Sequence, residues 1–188
     1  GFKIAEQIGL FINNINKKFL SFIVLPFFSK EFRNSTNFEK NQLVSDFISL
    51  VTLIALPIML ISAIKVDAII IIILGAKWLF IKEMMIYLLI YGGILTLSSS
   101  IFTLIVALGK PASETISRIA SFLILISAIF YNNSFQGILN AIIFSGIFLL
   151  ITSLYHMIKL NLVNLKTLFN KIISDNFPII SIVITEIM

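Results

Sequence analysis

Two adjacent lysines, Lys17 and Lys18, interrupt an apolar stretch running from Ile4 to Phe28. At about 100° per residue, Ile4, Ile8, Phe11, Ile12, Ile15, Phe19 and Phe22 fall on one helical face. Lys3, Glu6, Asn13, Asn14, Lys17 and Ser21 fall on the other. A lysine facing lipid at mid-membrane costs about 2.5–3.5 kcal/mol, while each Leu or Ile returns only about 0.3–0.6 kcal/mol. The polar face must therefore look at water or at protein. In a helix lining a polar cavity, Lys17, aided by Lys18 and the amides of Asn13 and Asn14, would offer positive charge to an anionic substrate such as a lipid diphosphate. The alternative is that the lysines snorkel to a headgroup from near a helix end, or that the helix lies in the interface. Only 11 uncharged residues separate Lys18 from Lys30, too few to cross alone, which favours a spanning helix that contains the lysines.

Little else in the chain suggests covalent chemistry. Cys is absent and His occurs once, at His156, which excludes a disulfide framework, thiol catalysis and a Cys/His metal cluster. No phosphate loop, paired catalytic carboxylates or nucleophile constellation is present, so the sequence predicts neither an enzyme nor a bound metal or cofactor. Glu114 and Arg118 stand four apart and can pair on one helical face, more simply as a structural pair than as a gating or substrate site. Asp46 reads as a boundary residue. His156, beside Lys159 near the end of a span, reads as interfacial rather than as a proton carrier.

These side chains need a membrane scaffold to hold them. Of the 188 residues 59% are apolar and 12% charged, about half the charged content of an ordinary soluble domain. With 18 Phe and a mean hydropathy of +1.06, disorder is excluded as well. A bilayer core needs about 20 helical residues. Phe47–Ile64 offers 18 uncharged residues with Pro57 as a tolerated kink, and Met84–Gly109 offers 26. Ile119–Ile158 runs for 40 residues without Lys, Arg, Asp or Glu, about twice a bilayer as one helix, so it must fold back. Its turn-forming composition lies at Tyr131-Asn132-Asn133-Ser134-Phe135-Gln136-Gly137, which predicts a helical hairpin. Gly109 suits the residue after a helix and Pro111 the first turn of the next. Gly92-Gly93 and Ser98-Ser99-Ser100 predict close helix packing.

The expected class is all-α, a polytopic membrane bundle of about five to six spans treated as one partial domain over 1–188, with spans near 4–28, 43–64, 84–109, 112–131 and 137–158. A truncated last span would start at 177 and run to 188. Ala68–Ala76 is too short to cross and reads as interfacial or re-entrant, with Trp78 at headgroup depth. Residues 164–175 read as a helix lying on the inner leaflet, with Leu165, Leu168, Phe169, Ile172 and Ile173 on one face and Lys166 and Lys171 on the other. With the loop at Asn132 outside, eight basic residues fall inside and four outside. The formal charge of +5 thus reports orientation and membrane lipid, with no nucleic acid implied. The chain starts at Gly1 without a signal peptide and stops inside an apolar run, so it reads as a piece of a longer protein or a truncated frame.

Three local stretches carry a resemblance. Phe22-Ile23-Val24-Leu25-Pro26-Phe27-Phe28-Ser29-Lys30 is a span ending in Pro, aromatic and Ser before a charged loop. Leu74-Gly75-Ala76-Lys77-Trp78 follows the short apolar segment, and Ala107-Leu108-Gly109-Lys110-Pro111 joins two spans. In order and separation, from about Ile4 to Ile173, the chain resembles the C-terminal half of bacterial polysaccharide flippases, the O-antigen or lipid-linked oligosaccharide translocases of the multidrug and toxin extrusion-like exporter superfamily. The resemblance implies half of a two-bundle, alternating-access fold in the bacterial inner membrane. A missing N-terminal bundle would form the opposing wall, the substrate would be a polyprenyl-diphosphate sugar repeat, and a polysaccharide polymerase would be a partner. It points to Lys17 as the nearest cavity cation, by face rather than by motif. Competing expectations are a drug or cation antiporter of the same superfamily, which would favour a cavity carboxylate, and a non-transporting subunit of a polysaccharide assembly complex.

Overall fold

A computed structural model describes residues 3, 6, 7, 10–132, 134–163, 168–176 and 178. The described residues are overwhelmingly helical and contain no strand. The first helical run starts with α1 (Phe11–Phe19), passes through a π-helical turn (Leu20–Val24) and continues as α2 (Leu25–Asn34). Pro26 explains the π turn: it has no N–H for the helical ladder, and the turn before it absorbs the change of register, with the Leu25 amide bonding to Leu20 O. The run therefore passes Phe28 and Lys30, ending six residues beyond the expected boundary at 28. Its start, including Ile4 and Ile8, falls outside the described residues.

Thr36 then caps α3 (Asn37–Ile64). Its hydroxyl accepts from the Glu39 amide, and the Glu39 carboxylate accepts in return from the Thr36 amide at 2.7 Å. After α3 come a short helix α4 (Val66–Leu74), a 3-10 turn (Ala76–Ile81) and α5 (Lys82–Ala107). α4 buries Val66 and Ile70 and exposes Ile71, Ile72 and Ile73, and Lys82 ties it to the start of α5 through Asp67 at 2.7 Å. Both glycine motifs are left-handed bends, Gly75 with φ 90° and Gly109 with φ 78°, conformations that cost glycine little. Pro111 opens α6 (Pro111–Tyr131), which is followed by α7 (Phe135–Lys159). The expected hairpin joins these two: Ser134 caps α7 through the Gly137 amide at 3.0 Å, and Asn132 Oδ1 accepts from the Ser134 amide and hydroxyl. Asn133 lies outside the described residues.

Four helical segments are long and apolar enough to cross a membrane: Asn37–Ile64, Ala76–Ala107, Pro111–Tyr131 and Phe135–Lys159. α5 is the axis of the bundle, with α1, α2, α3, α6 and α7 all packed against it. Its most apolar window is 67% buried, against 11% for α6, so α6 is peripheral. Small residues permit the close approach. A Cβ on Gly93 would meet the Met59 side chain at 2.2 Å, and one on Gly146 would meet the Tyr91 ring at 2.8 Å. The Ser98-Ser99-Ser100 run is wholly buried.

Residues 168–176 form a helix docked on α3. Lys171 pairs with Asp46, and the Ser49 hydroxyl donates to Asp175. The face expected to be uniformly apolar is divided: Leu168 is buried, whereas Phe169 and Ile173 are exposed. The remainder of the expected interfacial helix, 164–167, lies outside the described residues, as does the truncated span from 177 apart from Pro178.

Candidate functional site

The first helix turns its apolar face outward. Ile15, Phe19 and Phe22 are 54%, 43% and 79% exposed, whereas Asn13, Leu20 and Val24 are buried against the bundle. This arrangement withdraws the amides of Asn13 and Asn16 from lipid, where an unpaired amide is costly. The residue that docks the helix is Asn16, whose side-chain N–H donates to Thr96 O at 3.2 Å and to Ser100 Oγ at 3.1 Å on α5. Helical spacing did not single out Asn16. Its signal was the facing serine run, which needed the pairing of α1 with α5 to be read.

The next residue, Lys17, borders a cleft of about 250 Å³ between the first helix and α6. Lys17, Leu20, Ser21 and Leu25 form one wall, Ser99, Thr103 and Val106 of α5 the floor, and Glu114 and Arg118 of α6 the other wall. Ser99 lies eight residues, about 12 Å, inside the end of α5, and Arg118 seven residues, about 10 Å, inside the start of α6. Arg118 therefore sits about two turns below the start of α6, whereas Glu114 lies in its first turn.

Arg118 donates through Nε at 2.8 Å and through a terminal nitrogen at 2.7 Å, both to the same oxygen, Glu114 Oε1. The guanidinium carbon stands 6.0 Å above the Phe102 ring. The expected pair of Glu114 and Arg118 thus forms, and it also lines the cleft with Lys17, which the sequence did not connect. Ser99 Oγ is buried and has no hydrogen-bond partner, while Thr103 returns its hydroxyl to Ser99 O at 2.9 Å. Lys17 faces the Arg118–Glu114 pair across a hydroxyl-bearing floor, and two cations with one carboxylate suit an anion with several acceptor oxygens.

The expected site residues separate. Asn13 is 1% exposed, and its Oδ1 is buried without a partner. Asn14 and Lys18 are exposed and lie outside the cleft lining, Lys18 accepting a bond from Ser21 Oγ only through its main chain. Asn13 is thus turned into the protein, Lys17 is exposed at the rim of the cleft, and Asn14 and Lys18 point away from it. His156 is half-buried at the end of α7, edge-on to Tyr155. No grouping of three metal-ligating side chains occurs among the described residues.

No curated protein and no solved structure matches the chain. Residues 2–83, the stretch that carries Asn13, Asn16 and Lys17, match the family described as polysaccharide biosynthesis protein, and with the apolar helical bundle this match supports a membrane protein involved in polysaccharide biosynthesis.

Proposed function

We propose that the chain forms one wall of an alternating-access carrier that flips a lipid-linked oligosaccharide across the bacterial inner membrane, with the diphosphate of the lipid held between Lys17 and Arg118. The observation that carries this reading is the cleft below the helix ends, where Lys17 and Arg118 share a floor with the unpartnered Ser99 hydroxyl. A charge facing lipid costs about 2.5 kcal/mol or more at the bilayer centre and less toward the helix ends, so Lys17 and Arg118 beside one another call for a polar ligand, water or an opposing protein wall. A sugar-diphosphate head cannot shed its water into hydrocarbon, whereas a wet cationic groove lets it cross while the polyprenyl tail stays in lipid. No bond is made or broken, and the protein acts as a carrier without enzymatic chemistry. The opposing wall would be a second helical bundle, and a polysaccharide polymerase would take up the delivered repeat.

Cation antiport fits the cleft less well. Two basic groups against one acid repel a cationic drug, and Glu114 is already engaged by Arg118. The test is substitution at the native locus. Lys17→Ala and Arg118→Gln should each lower surface glycan, scored by lectin binding, by about tenfold or more at equal protein level, the expected worth of one charge-assisted hydrogen bond. Export at the wild-type level by Lys17→Glu would refute the substrate-cation reading.

A further inference from the structure

At the basic end of the bundle, the start of α3, the bend after α5 and the end of α7 enclose a second cleft of about 350 Å³. Lys40 and Lys110 stand over it with the amide of Asn37, and Leu108 and Leu160 line it with apolar surface. No carboxylate is among its lining residues. Neither lysine belongs to an ion pair among the described residues, whose pairs are Lys82 with Asp67, Arg118 with Glu114 and Lys171 with Asp46. The nearby Glu39 carboxylate is occupied by Thr36. The frame is braced: with its amide oriented to satisfy its neighbours, Asn41 donates to Asn161 O at 2.7 Å and Leu162 O at 2.8 Å. Asn161 takes a left-handed φ of 52° so that the chain can turn back into that brace. The helix start at Asn37 adds partial positive charge to the cleft.

We infer that this cleft binds the phosphate of an anionic glycerophospholipid, with Lys40 and Lys110 on the phosphate and Leu108 and Leu160 against the first acyl carbons. The ligand chemistry is a phosphate anion, and two features favour a lipid source over a soluble one. The cleft lies at the ends of membrane helices, at headgroup depth, and its leucines offer apolar surface beside the charge. It also sits on the end richer in Lys and Arg, which orientation by basic loops assigns to the leaflet carrying anionic lipid. The site is separate from the Lys17 cleft and does not depend on the substrate carried.

The test is native mass spectrometry of the purified protein in detergent with added phosphatidylglycerol, phosphatidylcholine or inorganic phosphate. Lys40→Gln with Lys110→Gln should weaken phosphatidylglycerol binding by about 10–30-fold, the worth of two basic residues near a charged membrane surface. Lys159→Gln, a change at the same end outside the cleft, should leave it unaltered. Equal retention of phosphatidylglycerol by the double variant and wild type, or equal binding of phosphatidylcholine, would overturn the inference. Inorganic phosphate competing at equal concentration would overturn the lipid source. If the double variant fails to fold, Lys110→Glu on the exposed bend gives the same comparison, with the same loss expected.

Discussion

Replacing Asn13 by leucine removes a carboxamide from a position that is 1% exposed and whose oxygen has no hydrogen-bond partner. The two side chains have the same number of heavy atoms and the same branching, so the change is chiefly one of polarity, with leucine's bulkier methyls the one added packing demand. An unsatisfied buried acceptor carries a desolvation penalty of about 1–3 kcal/mol, and the substitution should recover much of it. The same substitution three residues away should have the opposite sign. Asn16 makes two bonds to α5, and interhelical bonds in membranes average about 0.6 kcal/mol, so Asn16→Leu should cost about 1 kcal/mol. That loss stays moderate because Thr96 O and Ser100 Oγ keep their mutual bond at 2.8 Å and are not orphaned. Reversible unfolding in mixed micelles measures both variants against wild type. If Asn13→Leu proves less stable than wild type, the Asn13 oxygen is engaged and the sign of the argument is wrong. A stabilised Asn13→Leu protein that exports poorly would show that the orphaned amide is kept for ligand contact at the expense of stability.

Other outcomes follow from the same packing. Gly146→Ala should destabilise by about 1–3 kcal/mol, because a Cβ would sit 2.8 Å from the Tyr91 ring; Gly93→Ala should be milder, since its obstacle is the flexible end of Met59, and unfolding in micelles ranks the two. Gly137→Ala should weaken the hairpin, because its Cβ would lie 2.5 Å from Asn132 O, and hydrogen exchange at the start of α7 should rise. The Glu114–Arg118 pair should give a coupling energy below about 1 kcal/mol in a double-mutant cycle, since both side chains are about a third exposed, and a much larger value would indicate a drier cleft. The chain has no cysteine, so single cysteines at Lys110 and Phe135 can be labelled from either side of a vesicle. They should react from opposite sides, and same-side labelling would overturn the orientation of α6.

Much of the framework was legible from composition because the bilayer imposes length and polarity directly. The 40-residue uncharged run had to fold back, and Tyr131–Gly137 was its turn-forming segment. Gly109 and Pro111 marked a helix end and a helix start through backbone preferences that act within a few residues, and both lie where expected. Glu114 and Arg118 paired because a helix brings residues four apart together. The first run was harder. Its boundary moved to Asn34 because the helix accommodates Pro26 with a π turn, a choice that a residue count cannot reveal.

What the sequence by itself determined is therefore the all-α membrane class, the hairpin, the turns and the helical face on which Lys17 lies, all consequences of local geometry and the cost of charge in lipid. Tertiary structure alone decided which polar residues meet. Asn16 found the serine run of α5, Asn13 was buried without a partner, and Lys17 came to share a cleft with Arg118 about a hundred positions later in the chain. Periodicity specifies a direction around one helix axis, whereas a binding surface depends on which second helix stands opposite, and that is settled by how small and bulky side chains fit along α5.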